Sequence, residues 1–461
     1  MLGLKMNIKN QKMPAMNKLY ENIIRFFEKD FSEKIKNEPE FIQKIRLKNF
    51  EKFKNKGFPA LKDEKWRKTN LNKFTNQYFH PLLHNIVKKN TTDVCIVPDL
   101  QTVNIQLING HFAGEEKLNV LENGIIYGSI QSAFEKYTDL ISRYFDKLSK
   151  TTNPMDWLNA ALFTDGFFIY VPIKVKEINF QISQQLDAPV DALINSRNLI
   201  VLENDAQINL IQCDDSNEHR SHFASFNTEI FVGENAELNW YKYQNINNIS
   251  AMFSNTFAEV KENGKLYTNF YQLNGKLLRN EQFTEIAGKD VAVDHYGLYL
   301  VDKTQQFDNV IFVSHASEGS YSNQKFKGIL DDSAKGFFNG QILVKKDAQQ
   351  TNAYQKNDNI LLTDKAKISS QPFLEIYADD VSCSHGSTTG QIDDEALFYI
   401  RQRGISKRDA QLLQLYAFAG EVIDAIKIPE LIEPTKDLVK KRLNGELDVC
   451  EDCILQCASK R

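Results

Sequence analysis

The 461-residue sequence contains no apolar run approaching the ~18 residues that a membrane helix needs. Its first twenty residues, MLGLKMNIKNQKMPAMNKLY, hold nothing long enough for the apolar segment of an export signal. These absences predict a cytoplasmic protein. Phosphate loops of the GxxxxGK[ST] kind are missing, as are GxSxG, HExxH and GxGxxG, so any nucleotide-driven step would fall to another protein. A surplus of positive charge is also missing. The formal net charge is -4, which gives no reason for bulk attraction to nucleic acid. Cysteine is scarce at six, and without an export signal a disulfide framework is not expected; each Cys reads as core residue, ligand or nucleophile.

What is present suffices for a continuous core across two or three units, since 42% of residues are hydrophobic. The stretch to about residue 73 is locally basic, but its Lys residues are interleaved with Glu, Phe, Ile and Leu and read as solvated helix faces. From Asn17 to Lys56, Leu19, Ile23, Phe27, Phe31 and Ile35, then Phe41, Ile45, Phe50 and Phe53, recur mostly at helical steps. Pro39 interrupts the pattern and Gly57-Phe58-Pro59 ends it, which predicts two helices. Trp66, in the linker that follows, is expected to pack under the next unit.

From about Asp93 short β-rich runs appear, and a helical excursion over Gln131 to Leu162 is expected to cover one end of a β domain. Between Gly166 and Val381 almost everything is strand-like. A turn cassette recurs there: Asn204-Asp205-Ala206-Gln207, Glu234-Asn235-Ala236-Glu237, Glu262-Asn263-Gly264-Lys265, Asp332-Ser333-Ala334-Lys335 and Thr363-Asp364-Lys365-Ala366-Lys367. Positions 206, 236 and 264 are spaced by 30 and then 28 residues, the period of solenoid coils rather than of assorted sandwich loops. The fold class is therefore mainly β: a right-handed parallel β-helix flanked by N-terminal and C-terminal α-helical regions. Strands of such a solenoid pair coil to coil, and the edges left at its ends must be capped or used for pairing.

The chemistry concentrates between Phe373 and Gly404, where a strand-like half, a Cys-x-His pair and a helix-like half meet. Cys383 and His385 lie two apart on an extended segment and share a face. A thiolate and an imidazole suit iron, zinc or copper, but two ligands complete no site, so a second chain or a small molecule would supply the rest. Without other context the same pair also describes a buried Cys beside a solvated His. Gly386 and Gly390 are expected to punctuate a polar turn, with Asp393 and Asp394 at a helix start. Beyond Gly404, Ser406 and Asp409 form a capping box, and Leu412, Leu413, Leu415, Tyr416, Phe418, Ala419, Val422 and Ile423 form a broad apolar surface ending near Pro429. That surface is either core or a place for a partner. A last helix is expected from Thr435 to Gly445.

Cys450, Cys453 and Cys457 follow, spaced to share a helical face; they read as a flexible thiol tail or as transient handlers of metal or persulfide. Cys95 and Cys213 lie in strand-like runs and read as core. His219 and His222 could bind a metal but sit in a polar loop, and His295 and His315 read as hydrogen-bonded structural residues.

The run LEIYADDVSCSHGSTTGQIDDEALFYIRQRGISKRDAQLLQLYAFAGEVI closely resembles the C-terminal signature of the SufB/SufD family, scaffold components of the SUF iron–sulfur cluster assembly machinery. HASEGSYSNQKFKGILDDSAKGFFNGQILVKKDAQQTNAYQKNDNILLTDKAKISSQPFLEIYADD and DWLNAALFTDGFFIYVP extend the resemblance over most of residues 93 to 430. The CSHG run at 383 to 386 has the SufD form; the SufB branch carries a more acidic Cys-Glu-His-Glu arrangement farther along. The resemblance implies a β-helix that pairs with SufB through its strands, C-terminal helices that dock the SufC ATPase, and a transient cluster or iron at the SufB interface held with His385, near Cys383. It also implies a non-catalytic scaffold, with ATP hydrolysis on SufC. A homodimer formed without SufB is a further expectation. The resemblance assigns the three tail thiols no role.

The expected organisation is a helical region over 1–92, a β-helix core over 93–385 with the excursion near 131–162, a helical region over 386–447 and a Cys-containing tail over 448–461. Docking of the ATPase is expected on Leu412, Leu415, Tyr416, Phe418 and Val422. The alternative function is a β-helix polysaccharide-active enzyme of the pectin-lyase-like type, which would need acid/base groups along one face and is usually secreted.

Overall fold

The computed structural model describes residues 17–83, 97, 99–216 and 219–447. Cys95 and the tail thiols Cys450, Cys453 and Cys457 lie outside the described residues. Helices Lys18–Phe26 and Glu40–Lys56 form as their periodicity predicts, and Pro39 is the N-cap of the second. A π-helical segment, Phe27–Phe31, shifts the phase between them. It lets Phe27 stack on Phe50 with ring centroids 3.6 Å apart. Arg46 is wholly buried: it grips Glu38 through two bonds of 2.5 and 2.8 Å and donates to the carbonyls of Ala161 and Phe163. This fork ties the N-terminal helices to Pro154–Leu162, the last helix of the excursion. Trp66 packs beneath the solenoid, 6.0 Å from Phe253 and under the Arg279 guanidinium.

The body is a parallel β-solenoid of two sheets, one of eleven strands and one of ten, with consecutive strands from Ile178 onward alternating between them. In the ten-stranded sheet Gln207, Glu237, Lys265, Ala292 and Tyr321 occupy equivalent places in successive coils. The turn cassettes explain the repeat. Asp205, Asn235, Asn263 and Asp332 take left-handed backbone angles (φ 60, 54, 54 and 49°), which short polar side chains tolerate best after glycine. Each of the first three donates its N–H to the next coil, Asp205 to Glu234, Asn235 to Glu262 and Asn263 to Lys289, at 2.8 to 2.9 Å. Ala206 and Ala236 fill the corner inside.

Side chains such as Ile194, Met252, Leu278 and Phe307 from one sheet meet Ile208, Leu238, Leu266 and Val293 from the other in a single apolar lumen. The outer faces are covered separately. The excursion lies over the first coils of the eleven-stranded sheet, where Asn159 donates to the Ser196 and Ser225 carbonyls; it covers a face, not the end that was expected. The first 92 residues are likewise not purely helical, because His80–Pro81 already pairs with Ala192 and Leu193.

At the other end, helices Asp394–Arg401, Lys407–Ile423 and Pro429–Asn444 fold back over the ten-stranded sheet. Tyr241, Tyr243, Tyr267 and Tyr271 form the floor on which Leu415, Ala419, Val422, Leu431 and Leu438 rest. Arg442 locks the last helix down, bonding the Leu273 carbonyl at 2.6 Å and Asp302 at 2.8 Å. That helix begins at Pro429, not Thr435: proline suits the first helical position, and Pro434 falls close enough to the start to be tolerated. Gly445 ends it in a left-handed conformation, as expected.

Candidate metal centre at the terminal coil

Val381–Gly390 is the last strand, and it pairs along its whole length with Thr351–Leu361. The expected turn at Gly386 and Gly390 is absent, and the solenoid continues past residue 385. Turn propensity is local, whereas the ladder beneath offers a complete row of backbone partners and prevails. A Cβ at either glycine would meet nothing within 4 Å, so this rim is open. Asp393 then caps the helix, accepting from the Glu395 and Ala396 N–H groups at 2.9 and 3.1 Å.

Cys383 stands in register with Ala353, and His385 with Gln355. Ala353 belongs to an apolar cluster at the end of the lumen and Gln355 is buried, so the face that the pair shares is the inward one. Cys383 packs against this cluster, which includes Ile342, Val344, Ala348 and Ala378, while His385 is exposed at the mouth. Burial pushes the Cys383 thiol above its ordinary value, partly offset by a hydrogen bond with the Ala353 backbone. The arrangement is thus a half-buried thiol beside an accessible imidazole, a donor set suited to iron. Among the described residues no three His, Cys, Asp or Glu side chains gather in a metal-holding group.

Two strand edges flank the pair. Lys367–Ile376 ends the eleven-stranded sheet and Val381–Gly390 ends the ten-stranded one, each with a neighbour on one side only. Around them Phe373, Tyr377, Phe398 and Tyr399 are more than half exposed. Open edges ringed by exposed aromatics form a pairing surface.

The other histidines stay apart. His295 is buried between Thr268 (2.7 Å) and Thr284 (3.0 Å), and burial pushes its imidazole down to about 3. His315 bonds Ser322 at 2.8 Å. Both are structural, as expected. His219 is exposed whereas His222 is fully buried, so the two do not meet in one site. Cys213 is core.

The expected docking set divides. Leu415 and Val422 are buried against the tyrosine floor and are removed from any partner surface, because they form the face by which their helix attaches to the solenoid. Leu412, Tyr416 and Phe418 remain half-buried, and Leu413 is half exposed beyond them. Sequence reasoning left out Phe398, Tyr399 and Leu413 as surface. It also missed Gln355, which the coil period places one turn before His385.

The family models for the SufBD protein N-terminal region and for the SUF system FeS cluster assembly SufBD core domain match residues 16–182 and 184–418. An iron–sulfur cluster assembly SufBD family protein of Synechocystis is 28% identical over 386 residues, covering 81% of this chain and 85% of that one. The iron–sulfur cluster assembly protein SufD of Bacillus subtilis is 26% identical over 442 residues, covering 90% and 97%. That of Escherichia coli is 34% identical over 224 residues, covering 49% and 53%.

Proposed function

Because this chain belongs to the SufBD family and so has its role in iron–sulfur cluster assembly, we propose that it is a SufD-type scaffold subunit that acts with SufB and the ATPase SufC. Family membership does not favour the polysaccharide-active alternative. The observation that carries the proposal is a Cys-x-His pair on the inward face of a coil whose two strand edges are both open. An edge-to-edge partner β-solenoid would sit directly over Cys383 and His385 and bring the donors that complete a site. Iron or a nascent cluster is the cargo: Cys383 offers a thiolate once its proton leaves, and His385 offers an imidazole nitrogen.

The ATPase docks on the outward side of the C-terminal helices, through Phe398, Tyr399, Leu412, Leu413, Tyr416 and Phe418. Nucleotide hydrolysis there would be transmitted through these helices, which are clamped to the solenoid, to the interface.

The test is anaerobic reconstitution of the three-protein complex. His385→Ala and Cys383→Ser are expected to leave the complex assembled and to lower the cluster yield, read by iron spectroscopy. Unchanged yield in both would remove the ligand role.

A further inference from the structure

Along the inward face of the ten-stranded sheet, Trp240, Thr268, His295, Gln324, Gln355 and His385 stand in register, one in each successive coil. Neighbours in such a row have Cβ atoms about 5 Å apart, within reach of a side-chain hydrogen bond. Upstream these bonds are made: Thr268 to His295 at 2.7 Å, and Gln355 Nε2 to Gln324 Oε1 at 2.6 Å. Gln355 is 3% exposed, and its Oε1 has no hydrogen-bond partner.

An unpaired buried carbonyl oxygen is costly and uncommon. Its position is also specific. The nitrogen and oxygen of an amide diverge from Cδ, so a nitrogen committed to Gln324 leaves the oxygen facing away from it, toward the strand that carries His385. The amide is held there sterically as well. From the opposite sheet, Gly340 approaches so closely that a Cβ on it would lie 2.2 Å from Gln355 Nε2 and 2.6 Å from Cδ.

We propose that Gln355 is the positioning residue of His385, its side-chain oxygen accepting the ring N–H and leaving the other ring nitrogen free for iron. A neutral imidazole carries one N–H and one lone pair, so fixing the first aims the second. Metal-ligating histidines commonly have such a partner behind them. The proposal rests on the reading of His385 as a ligand, and its test separates the two.

The first measurement uses the full metal-free chain with ¹⁵N-labelled histidine, at a pH above the imidazole range; the His385 signals are assigned by their loss in His385→Ala. Ring nitrogen shifts report the tautomer directly. One dominant tautomer is expected in the native chain, and the mixture of a free imidazole in Gln355→Leu. Gln355→Glu keeps an acceptor and is expected to keep the single tautomer. Gly340→Ala, which leaves Gln355 in place but displaces its amide, is expected to behave like Gln355→Leu. A free-imidazole mixture in the native chain, or identical shifts in Gln355→Leu, would overturn the proposal.

The second measurement is Co(II) titration of the assembled complex. Gln355→Leu is expected to weaken binding about 10- to 100-fold. Affinity that is indifferent to His385→Ala defeats the ligand reading alone and leaves a tautomer result standing.

Discussion

Replacing Glu421 by Gln will loosen the helix Lys407–Ile423 from the solenoid in a pH-dependent way. Glu421 is the electrostatic clasp of that helix: its two carboxylate oxygens receive Lys325 and Lys327, each at 2.6 Å. Lys327 is almost fully buried and also lies 4.2 Å from the Phe418 ring. Burial by itself would raise the Glu421 pKa, but hydrogen bonds from the two lysines overcome it and hold the carboxyl at about 2 against the ordinary 4.5. At full weight that depression corresponds to ~3.4 kcal/mol. Glu421 is half exposed, so solvent screening reduces it to ~1–2 kcal/mol. The folded pKa lies below the unfolded one. The contribution is therefore fully present above pH 4.5 and is lost as pH falls toward 2.

Hydrogen exchange of the helix amides, corrected for intrinsic rates, is the assay, because it reads local opening rather than global unfolding. At pH 7, Glu421→Gln should raise exchange in residues 407–423 about 5- to 30-fold and leave the lumen strands unchanged. The native chain should lose the same protection between pH 4.5 and 2.5, and the variant should show no such step. Equal protection at pH 7, or an acid step that persists in Glu421→Gln, would refute the clasp.

Asp156 should show the opposite sign. It is buried at the start of Pro154–Leu162, and desolvation, then the charge of Glu281, push its carboxyl up to about 7 despite hydrogen bonds from Thr151 and Asn255. A carboxyl raised in the folded state costs stability as pH climbs from about 4 to 7, up to ~4 kcal/mol. Thermal unfolding should accordingly show Asp156→Asn gaining on the native chain between pH 5 and pH 8, and a constant difference would contradict this. Gly288→Ala tests the spacing between coils. A Cβ there would lie 2.0 Å from the Glu262 backbone nitrogen, so the turns must separate; a loss of about 3 kcal/mol in denaturant unfolding is expected, and a neutral result would show that the coils can part freely.

The repeat was legible in the sequence because its cause is local. Asp205, Asn235 and Asn263 announce left-handed corners by their residue type, and their spacing of 30 and 28 residues is the coil length itself. The pairing of Cys383 with His385 on one face followed from strand geometry, and it holds. Misreadings arose where a long-range partner decides. Nothing in Leu415 or Val422 distinguishes them from Leu412 or Leu413 until the tyrosines of distant coils select one face of the helix. Gly386 and Gly390 signal a turn by themselves, and only the paired strand Thr351–Leu361 makes them strand residues.

The same coil period could have carried the reading further. Counting back one coil at a time from His385 gives Gln355, then Gln324, then His295, with no structure in hand. What periodicity cannot supply is which of these polar groups are already paired. His295 uses both ring nitrogens within the lumen and is closed to outside chemistry. Gln355 uses only its nitrogen, and its remaining oxygen lies at the one place where the polar row reaches the open mouth. A buried row of hydrogen-bonding side chains that stiffens the solenoid thus becomes, at its last member, a device for aiming a histidine. The difference between the two roles is the single coil that a partner must supply.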